Sequence, residues 1–130
     1  VSGAAGIFLD APLDAAGRKR ALRAAMHAER FFPVQWAPAQ EVLDGARAAG
    51  RRLVAVEDVG ARAPWETDLR GPLLFAIGGD RRGLAPALLE RCDEVVRVPM
   101  AGFVPSYNLQ AALAAVAVER LRQLEARRTP

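Results

Sequence analysis

Short apolar runs alternate with longer stretches of mixed character along the whole chain. A continuous or alternating apolar run predicts a strand, whereas apolar residues three and four apart predict a helix. We predict strands at 6–9, 31–36, 52–56, 73–77 and 95–98. We predict helices at 18–29, 40–49, 86–91 and 108–127. This alternation indicates an α/β fold, with a mostly parallel sheet and helices on both of its faces.

Several single residues mark boundaries within this pattern. Asp14 can cap the first helix, Pro38 suits the start of the second, and Gly50 is a natural stop for it. The strand at 73–77 is wholly apolar, which is typical of a strand covered on both faces. The stretch 58–70 has no clear period, so we predict an irregular connection there.

Composition places the chain among ordinary folded proteins. It has 130 residues, of which 52% are hydrophobic and 25% charged, which fits one domain with a real core. The net charge is +3, and of 18 basic residues all but Lys19 are arginine. Arginine suits phosphate recognition, but the same bias also follows from genome composition or growth temperature. Charge alone is therefore only a weak pointer to RNA.

Cysteine and histidine usage excludes several kinds of site. The single cysteine, Cys92, excludes an internal disulfide, and one histidine beside it leaves no zinc site of the usual spacing. We expect no metal, and we expect Cys92 to be a reduced core thiol rather than a nucleophile. No apolar run approaches the roughly 20 residues that cross a bilayer, and no signal peptide is recognisable. We therefore expect a cytoplasmic protein.

A glycine-rich turn follows the apolar strand at 73–77. It runs Gly-Gly-Asp-Arg-Arg-Gly over 78–83, at the kind of strand end where α/β proteins bind ligands. The spacing matches neither the dinucleotide-binding glycine pattern nor a P-loop. A tight turn between strand and helix explains these six residues equally well. The turn by itself does not decide between these alternatives.

A polar loop precedes the last helix, after a second strand and a Pro-Met bend. Ser106 and Asn108 flank Tyr107 in this loop. A role as helix N-cap would be enough to explain either Ser106 or Asn108, since Ser and Asn are favoured at that position. The order of turn, bend and polar loop is more specific than any one of its parts.

These parts together resemble the SpoU/TrmH branch of the SPOUT RNA methyltransferases. That family shows Ile-Gly-x-Glu-x-x-Gly-Leu, then Cys-Asp-Glu, Ile-Pro-Met and Ser-Leu-Asn. The matching segments here are 77–84, 92–94, 98–100 and 106–108. The resemblance is strong over 73–124 and weaker before it, and it covers nearly the whole chain.

The resemblance implies a C-terminal trefoil knot, S-adenosylmethionine as cofactor, and methyl transfer to a ribose 2′-hydroxyl of rRNA or tRNA. It also implies a homodimer formed through the region of the last helix. The implied catalytic or substrate-positioning residues are Asp80, Ser106 and Asn108. The implied cofactor-binding residues are Ile77, Gly78, Gly79, Val98, Met100, Tyr107 and Asn108.

The chain departs from the family pattern at four positions in and beside these motifs, and at its front. Asp80 replaces a longer Glu, Gly79 replaces an Asn, and Tyr107 and Gln110 stand where Leu and Ser are commoner. Nothing in 1–12 matches the family's first motif, Asn-x-Gly-x-x-x-Arg, which supplies an arginine for activating the ribose hydroxyl. We therefore expect 1–130 to be a single SPOUT methyltransferase domain that is N-terminally incomplete.

Two further functions remain open from the sequence. The chain could be a catalytically inactive SPOUT-like module for RNA binding or dimerisation, because the first motif is missing and Asp replaces Glu. It could also be an α/β domain that binds another nucleotide at the glycine turn.

Overall fold

The computed structural model describes residues 6–10, 14–24, 26, 30–79, 82–102 and 107–126. Within these residues the strands are β1 Ile7–Leu9, β2 Val34–Trp36, β3 Arg52–Val56, β4 Leu73–Ile77 and β5 Glu94–Val96. The helices are α1 Ala15–Ala24, α2 Ala39–Ala48, α3 Pro86–Leu89 and α4 Leu109–Glu125, with a short 3₁₀ helix at Pro64–Glu66. The predicted alternation and the α/β class are confirmed.

The chain divides into two compact units, 1–44 and 45–130. In the first unit, β1 and β2 pair in parallel, with Phe8 opposite Gln35. The Asp14 side chain caps α1 by accepting a hydrogen bond of 2.6 Å from the Gly17 amide, as the sequence predicts. The Arg18 guanidinium lies 5.7 Å from the centre of the Trp36 ring, within reach of a cation–π contact. The assignment of 1–130 to one SPOUT domain stays a prediction.

The second unit is built on a three-stranded parallel sheet in the order β4-β3-β5. Val54 pairs with Phe75 on one side and with Glu94 on the other. Residues of this sheet, the following connections and α4 form the core, whose fully buried side chains include Leu53, Val54, Leu69, Val96 and Val116. All three strands point the same way, so their carboxyl ends meet at one edge.

The strand at 73–77, which the sequence predicts to be covered on both faces, is not the most buried strand of this sheet. The wholly apolar β4 is only half-buried along its length, whereas Leu53, Val54, Ala55 and Val56 of β3 are buried. The reason is the strand order, because β3 has a neighbour on each side and β4 has one neighbour within this sheet. Apolar composition alone therefore overestimated how deeply β4 is buried.

Other boundaries differ by a few residues from the sequence prediction. Helix α1 begins at Ala15 rather than at 18, and part of its predicted extension to 29 lies outside the described residues. Strand β5 ends at Val96, so Val98 lies after the strand rather than in it. Among the helices described, none combines the length and the apolar content that crossing a bilayer requires.

The connection between β3 and β4 is ordered by the side chain of Gln123 on α4. Its carboxamide oxygen accepts a hydrogen bond of 2.8 Å from the Leu69 amide. Its amide nitrogen donates to the Thr67 carbonyl at 3.0 Å and to the Glu119 carboxylate at 2.8 Å. Gln123 therefore holds an otherwise irregular segment against the C-terminal helix.

Candidate functional site

A cavity of about 360 Å³ opens where the carboxyl ends of β3, β4 and β5 meet. Among the described residues, its walls come from four segments: the end of β3 and of β4 with the residues that follow each, the residues after β5, and the start of α4 with Tyr107 before it. The volume lies in the range of small-molecule sites, roughly 300–1,000 Å³. The edge formed by the carboxyl ends of parallel strands is also where open α/β sheets bind their ligands.

The glycine turn after β4 folds back on itself beside this cavity. The Gly83 amide donates to the Gly79 carbonyl at 3.0 Å, and Gly83 has a φ of 62°. A Cβ added to Gly78 would lie 1.9 Å from the Gly83 carbonyl carbon, so no larger residue fits this fold of the chain. The segment is a tight turn, and it also lines a cavity; the two interpretations left open by the sequence are compatible.

Glu57 connects three of the four wall segments. This residue directly follows β3, and its amide donates to the Val96 carbonyl of β5 at 3.0 Å. Its carboxylate accepts a hydrogen bond of 2.5 Å from the Leu84 amide, just past the glycine turn. The turn after β4 and the end of β5 are therefore both fastened to the residue that follows β3.

The residues at the start of α4 form another part of the wall. The Tyr107 hydroxyl donates to the Pro99 carbonyl at 3.2 Å, and both Tyr107 and Leu109 line the cavity. Asn108 is the N-cap of α4, and its side-chain oxygen accepts a hydrogen bond of 2.9 Å from the Gln110 amide. Asn108 is not among the described residues that line the cavity.

Six residues predicted to bind the cofactor lie around this one cavity: Ile77, Gly78, Gly79, Val98, Met100 and Tyr107. The seventh, Asn108, is their neighbour at the start of α4. Two of the predicted catalytic residues, Asp80 and Ser106, lie outside the described residues. The structure thus brings the cofactor candidates together, and their binding role stays a prediction.

Four charged residues of the described wall were not predicted from the sequence: Glu57, Asp58, Arg82 and Arg97. Glu57 is half-buried, and the other three are exposed. Within the described residues, neither guanidinium forms an ion pair with a carboxylate. The sequence could have indicated Glu57, because an acidic residue directly after a buried strand is a common feature of ligand sites. For Arg82 and Arg97 the sequence offers only their positions near the glycine turn and the Pro-Met bend.

Cys92 lies away from the cavity, and its environment agrees with an unreactive thiol. The thiol donates to the Leu88 carbonyl at 3.4 Å, and burial, followed by the neighbouring Asp93 charge, raises the pKa of Cys92. A raised pKa lowers the fraction of thiolate, which is the nucleophilic form.

The profile of the SpoU rRNA Methylase family matches residues 1–118. The chain belongs to this family. The membership that the motifs predicted is therefore confirmed. A curated SpoU relative, the 23S rRNA (guanosine-2′-O-)-methyltransferase RlmB of Pseudomonas syringae, is 39% identical over 66 residues, which are 51% of this chain and 26% of that protein.

Solved SpoU structures align with almost the entire chain. The SpoU methyltransferase AviRb of Streptomyces viridochromogenes, in complex with AdoMet, is 29% identical with a TM-score of 0.85, covering 95% of this chain and 49% of that one. An AdoMet-bound rRNA methyltransferase of Sinorhizobium meliloti is 27% identical with the same TM-score of 0.85, covering 95% and 48%. The chain thus spans about half the length of these solved relatives.

Proposed function

We propose that this chain forms the cofactor-binding and catalytic part of an S-adenosylmethionine-dependent RNA 2′-O-ribose methyltransferase. The observation that carries the proposal is the cavity at the carboxyl ends of the sheet, which six independently predicted cofactor residues line. The complexes of AviRb and of the Sinorhizobium enzyme with AdoMet support the choice of cofactor.

The chemistry of the wall fits S-adenosylmethionine. Ile77 and Val98 offer apolar contact for the adenine ring, and the adjoining backbone offers donors and acceptors for its neutral edge. The exposed Arg82 and Arg97 suit the carboxylate of the methionine part. Glu57 adds a negative charge near a ligand that carries a sulfonium and an ammonium group. We assign cofactor binding to Ile77, Gly78, Gly79, Val98, Met100, Tyr107 and Asn108.

The remaining task of the protein is to position the ribose hydroxyl and to assist the loss of its proton. The bound cofactor supplies an electrophilic methyl group. We assign substrate positioning to Asp80, Ser106 and Asn108, on the family pattern. Asn108 uses its side-chain oxygen at the helix cap, which leaves its amide protons for a substrate oxygen. A ribose hydroxyl is a poor nucleophile, so alignment and proton removal are the steps in which these groups act.

RNA is the proposed substrate, with rRNA or tRNA both open. The RlmB relative is named for guanosine 2′-O-methylation of 23S rRNA, which supports the ribose as the acceptor. Exposed basic side chains on α1 offer contacts to RNA phosphates: Arg18, Lys19, Arg20 and Arg23.

Three further features are proposed on the family likeness. They are the trefoil knot, a homodimer through the region of α4, and a cytoplasmic location. Exposed apolar side chains on α4, Leu113 and Val118, support the dimer surface.

Titration of S-adenosylmethionine into the 130-residue chain by calorimetry tests the pocket assignment. We expect S-adenosylmethionine to bind, and we expect that NAD and ATP do not displace it. Binding of NAD or ATP with no preference for S-adenosylmethionine would establish the general nucleotide-binding alternative. Transfer of a labelled methyl group to ribosomal RNA or tRNA then tests catalysis. Cofactor binding without transfer, in a longer protein that carries the first family motif, would favour the inactive RNA-binding or dimerisation module.

A further inference from the structure

Glu57 lines the cavity, and one oxygen of its carboxylate is already hydrogen-bonded within the protein. Oε1 accepts the hydrogen bond of 2.5 Å from the Leu84 amide. Within the described residues, no second donor to this carboxylate is present. Glu57 also lines the cavity at the end of the central strand. Oε2 is therefore an acceptor that the described protein groups leave unused.

The carboxylate is held in a fixed place by its surroundings. Both of its oxygens would lie 3.0 Å from a Cβ on Gly83, so the absence of a side chain there lets the carboxylate pack against the glycine turn. The Glu57 amide is in turn fixed to the Val96 carbonyl at 3.0 Å. An acceptor that is already oriented loses little conformational entropy when it binds a ligand.

We propose that Oε2 of Glu57 accepts hydrogen bonds from the ribose hydroxyls of the cofactor's nucleoside, an inference that rests on the proposed function. A carboxylate accepts and does not donate, and a ribose presents two adjacent hydroxyl donors. The sulfonium centre offers no N–H or O–H donor, whereas the ammonium of the methionine part does and is the same in the parent and deoxy ligands of the test below. The position of Glu57 also fits, since it directly follows the strand next to the one that carries the glycine turn. In dinucleotide-binding α/β sheets an acidic residue near the glycine motif hydrogen-bonds a ribose hydroxyl.

The test compares S-adenosylhomocysteine with its 2′-deoxyribose and 3′-deoxyribose counterparts, each titrated by calorimetry into the 130-residue chain. A hydrogen bond from a hydroxyl to a charged acceptor predicts that at least one deoxy ligand binds about tenfold more weakly. In Glu57→Ala we expect the parent ligand to bind about tenfold more weakly and the deoxy penalty to fall below about twofold. Glu90→Ala, which removes an exposed carboxylate outside the cavity, is the matched control and should keep the full penalty.

Glu57→Gln guards against a loss of folding, because its amide oxygen can still accept from the Leu84 amide. Hydrogen exchange at the Leu84 amide reports this bond directly, and we expect protection to survive in Glu57→Gln and to fall in Glu57→Ala. The deoxy penalty should also be smaller in Glu57→Gln than in the unchanged chain, since the charge-assisted acceptor is gone.

The outcomes separate the two levels of the proposal. If the unchanged chain binds neither S-adenosylmethionine nor S-adenosylhomocysteine, the proposed function fails and this inference fails with it. If the chain binds them but discriminates against neither deoxy ligand, only the role of Glu57 is overturned. An unchanged deoxy penalty in Glu57→Ala, or in Glu57→Gln if the alanine variant does not fold, likewise assigns the ribose hydroxyls to another group.

Discussion

The Tyr107 hydroxyl donates a hydrogen bond to the Pro99 carbonyl at 3.2 Å. Pro99 lies between Val98 and Met100, which line the cavity together with Tyr107. The bond therefore ties the bend after β5 to the residue that precedes the cap of α4, beside the cavity. A leucine, which is commoner in the family at this position, cannot make this bond.

We expect Tyr107→Phe to weaken S-adenosylmethionine binding by about two- to tenfold, the value of one neutral hydrogen bond. The ring would keep its place, so the free energy of unfolding should change by less than about 1 kcal/mol. Calorimetric titration and urea unfolding measure the two quantities. Tyr107→Leu restores the commoner family residue and serves as the comparison. If Tyr107→Phe binds as tightly as the unchanged chain, the tie to Pro99 has no part in shaping the pocket.

Two adjacent glycines should respond very differently to a single added methyl group. A Cβ on Gly78 would lie 1.9 Å from the Gly83 carbonyl carbon and 2.2 Å from the Leu84 nitrogen, whereas a Cβ on Gly79 has nothing within 4 Å. We expect Gly78→Ala to lower the free energy of unfolding by about 2–3 kcal/mol or more, because backbone must move. Gly79→Ala should stay within about 0.5 kcal/mol. Equal losses in urea unfolding would show that the turn is not packed as described.

Asn108 has an observed role as a helix cap and a proposed role toward the substrate, and two substitutions separate them. Asn108→Ala removes the acceptor for the Gln110 amide and should cost about 1 kcal/mol of stability. Asn108→Ser keeps a good cap, so stability should return. We expect methyl transfer to stay at least about tenfold low in both variants, because serine cannot present the amide donors. Recovery of methyl transfer in Asn108→Ser would show that Asn108 acts only as the helix cap and has no role toward the substrate.

The fold class was predictable because each strand and helix carries its own local pattern. Leu73–Ile77 reads as a strand from its five apolar residues, and the structure has it there. What the pattern lacks is the order of strands in the sheet. That order places β3 at the centre and brings Glu57 beside the turn that begins at Gly78, more than 20 residues later in sequence.

The family motifs predicted the cavity residues better than the local pattern of apolar and polar residues did. Gly78 and Tyr107 are separated by a strand and a helix, and no periodicity relates them. Long-range bonds were equally hidden: nothing about Gln123 within its own helix indicates that it binds the Leu69 amide 54 residues away. Such contacts depend on tertiary packing, which a local pattern does not encode.

Glu119 on α4 should make stability depend on acidity. Its carboxylate accepts two hydrogen bonds of 2.8 Å from Arg122 and one of 2.8 Å from Gln123. The bonds from Arg122, followed by the one from Gln123, lower the pKa of Glu119 from 4.5 to about 2. The folded protein thus holds this carboxylate ionised at pH values where the unfolded chain binds a proton. The stabilisation is complete above the unfolded pKa and is lost as the pH falls from about 4.5 to about 2.

We therefore expect the free energy of unfolding to fall across this acid range, and to fall less steeply in Glu119→Gln, which cannot titrate. Urea unfolding at a series of pH values measures the difference. Asp68 contributes in the same pH range, because Arg70 lowers the pKa of Asp68 to about 2. Both the unchanged chain and Glu119→Gln keep Asp68, so the difference between them reports on Glu119 alone. Glu125→Gln changes an exposed carboxylate on the same helix and should leave the slope close to that of the unchanged chain. Parallel pH profiles for the unchanged chain and Glu119→Gln would mean that the Arg122 and Gln123 bonds do not persist in solution.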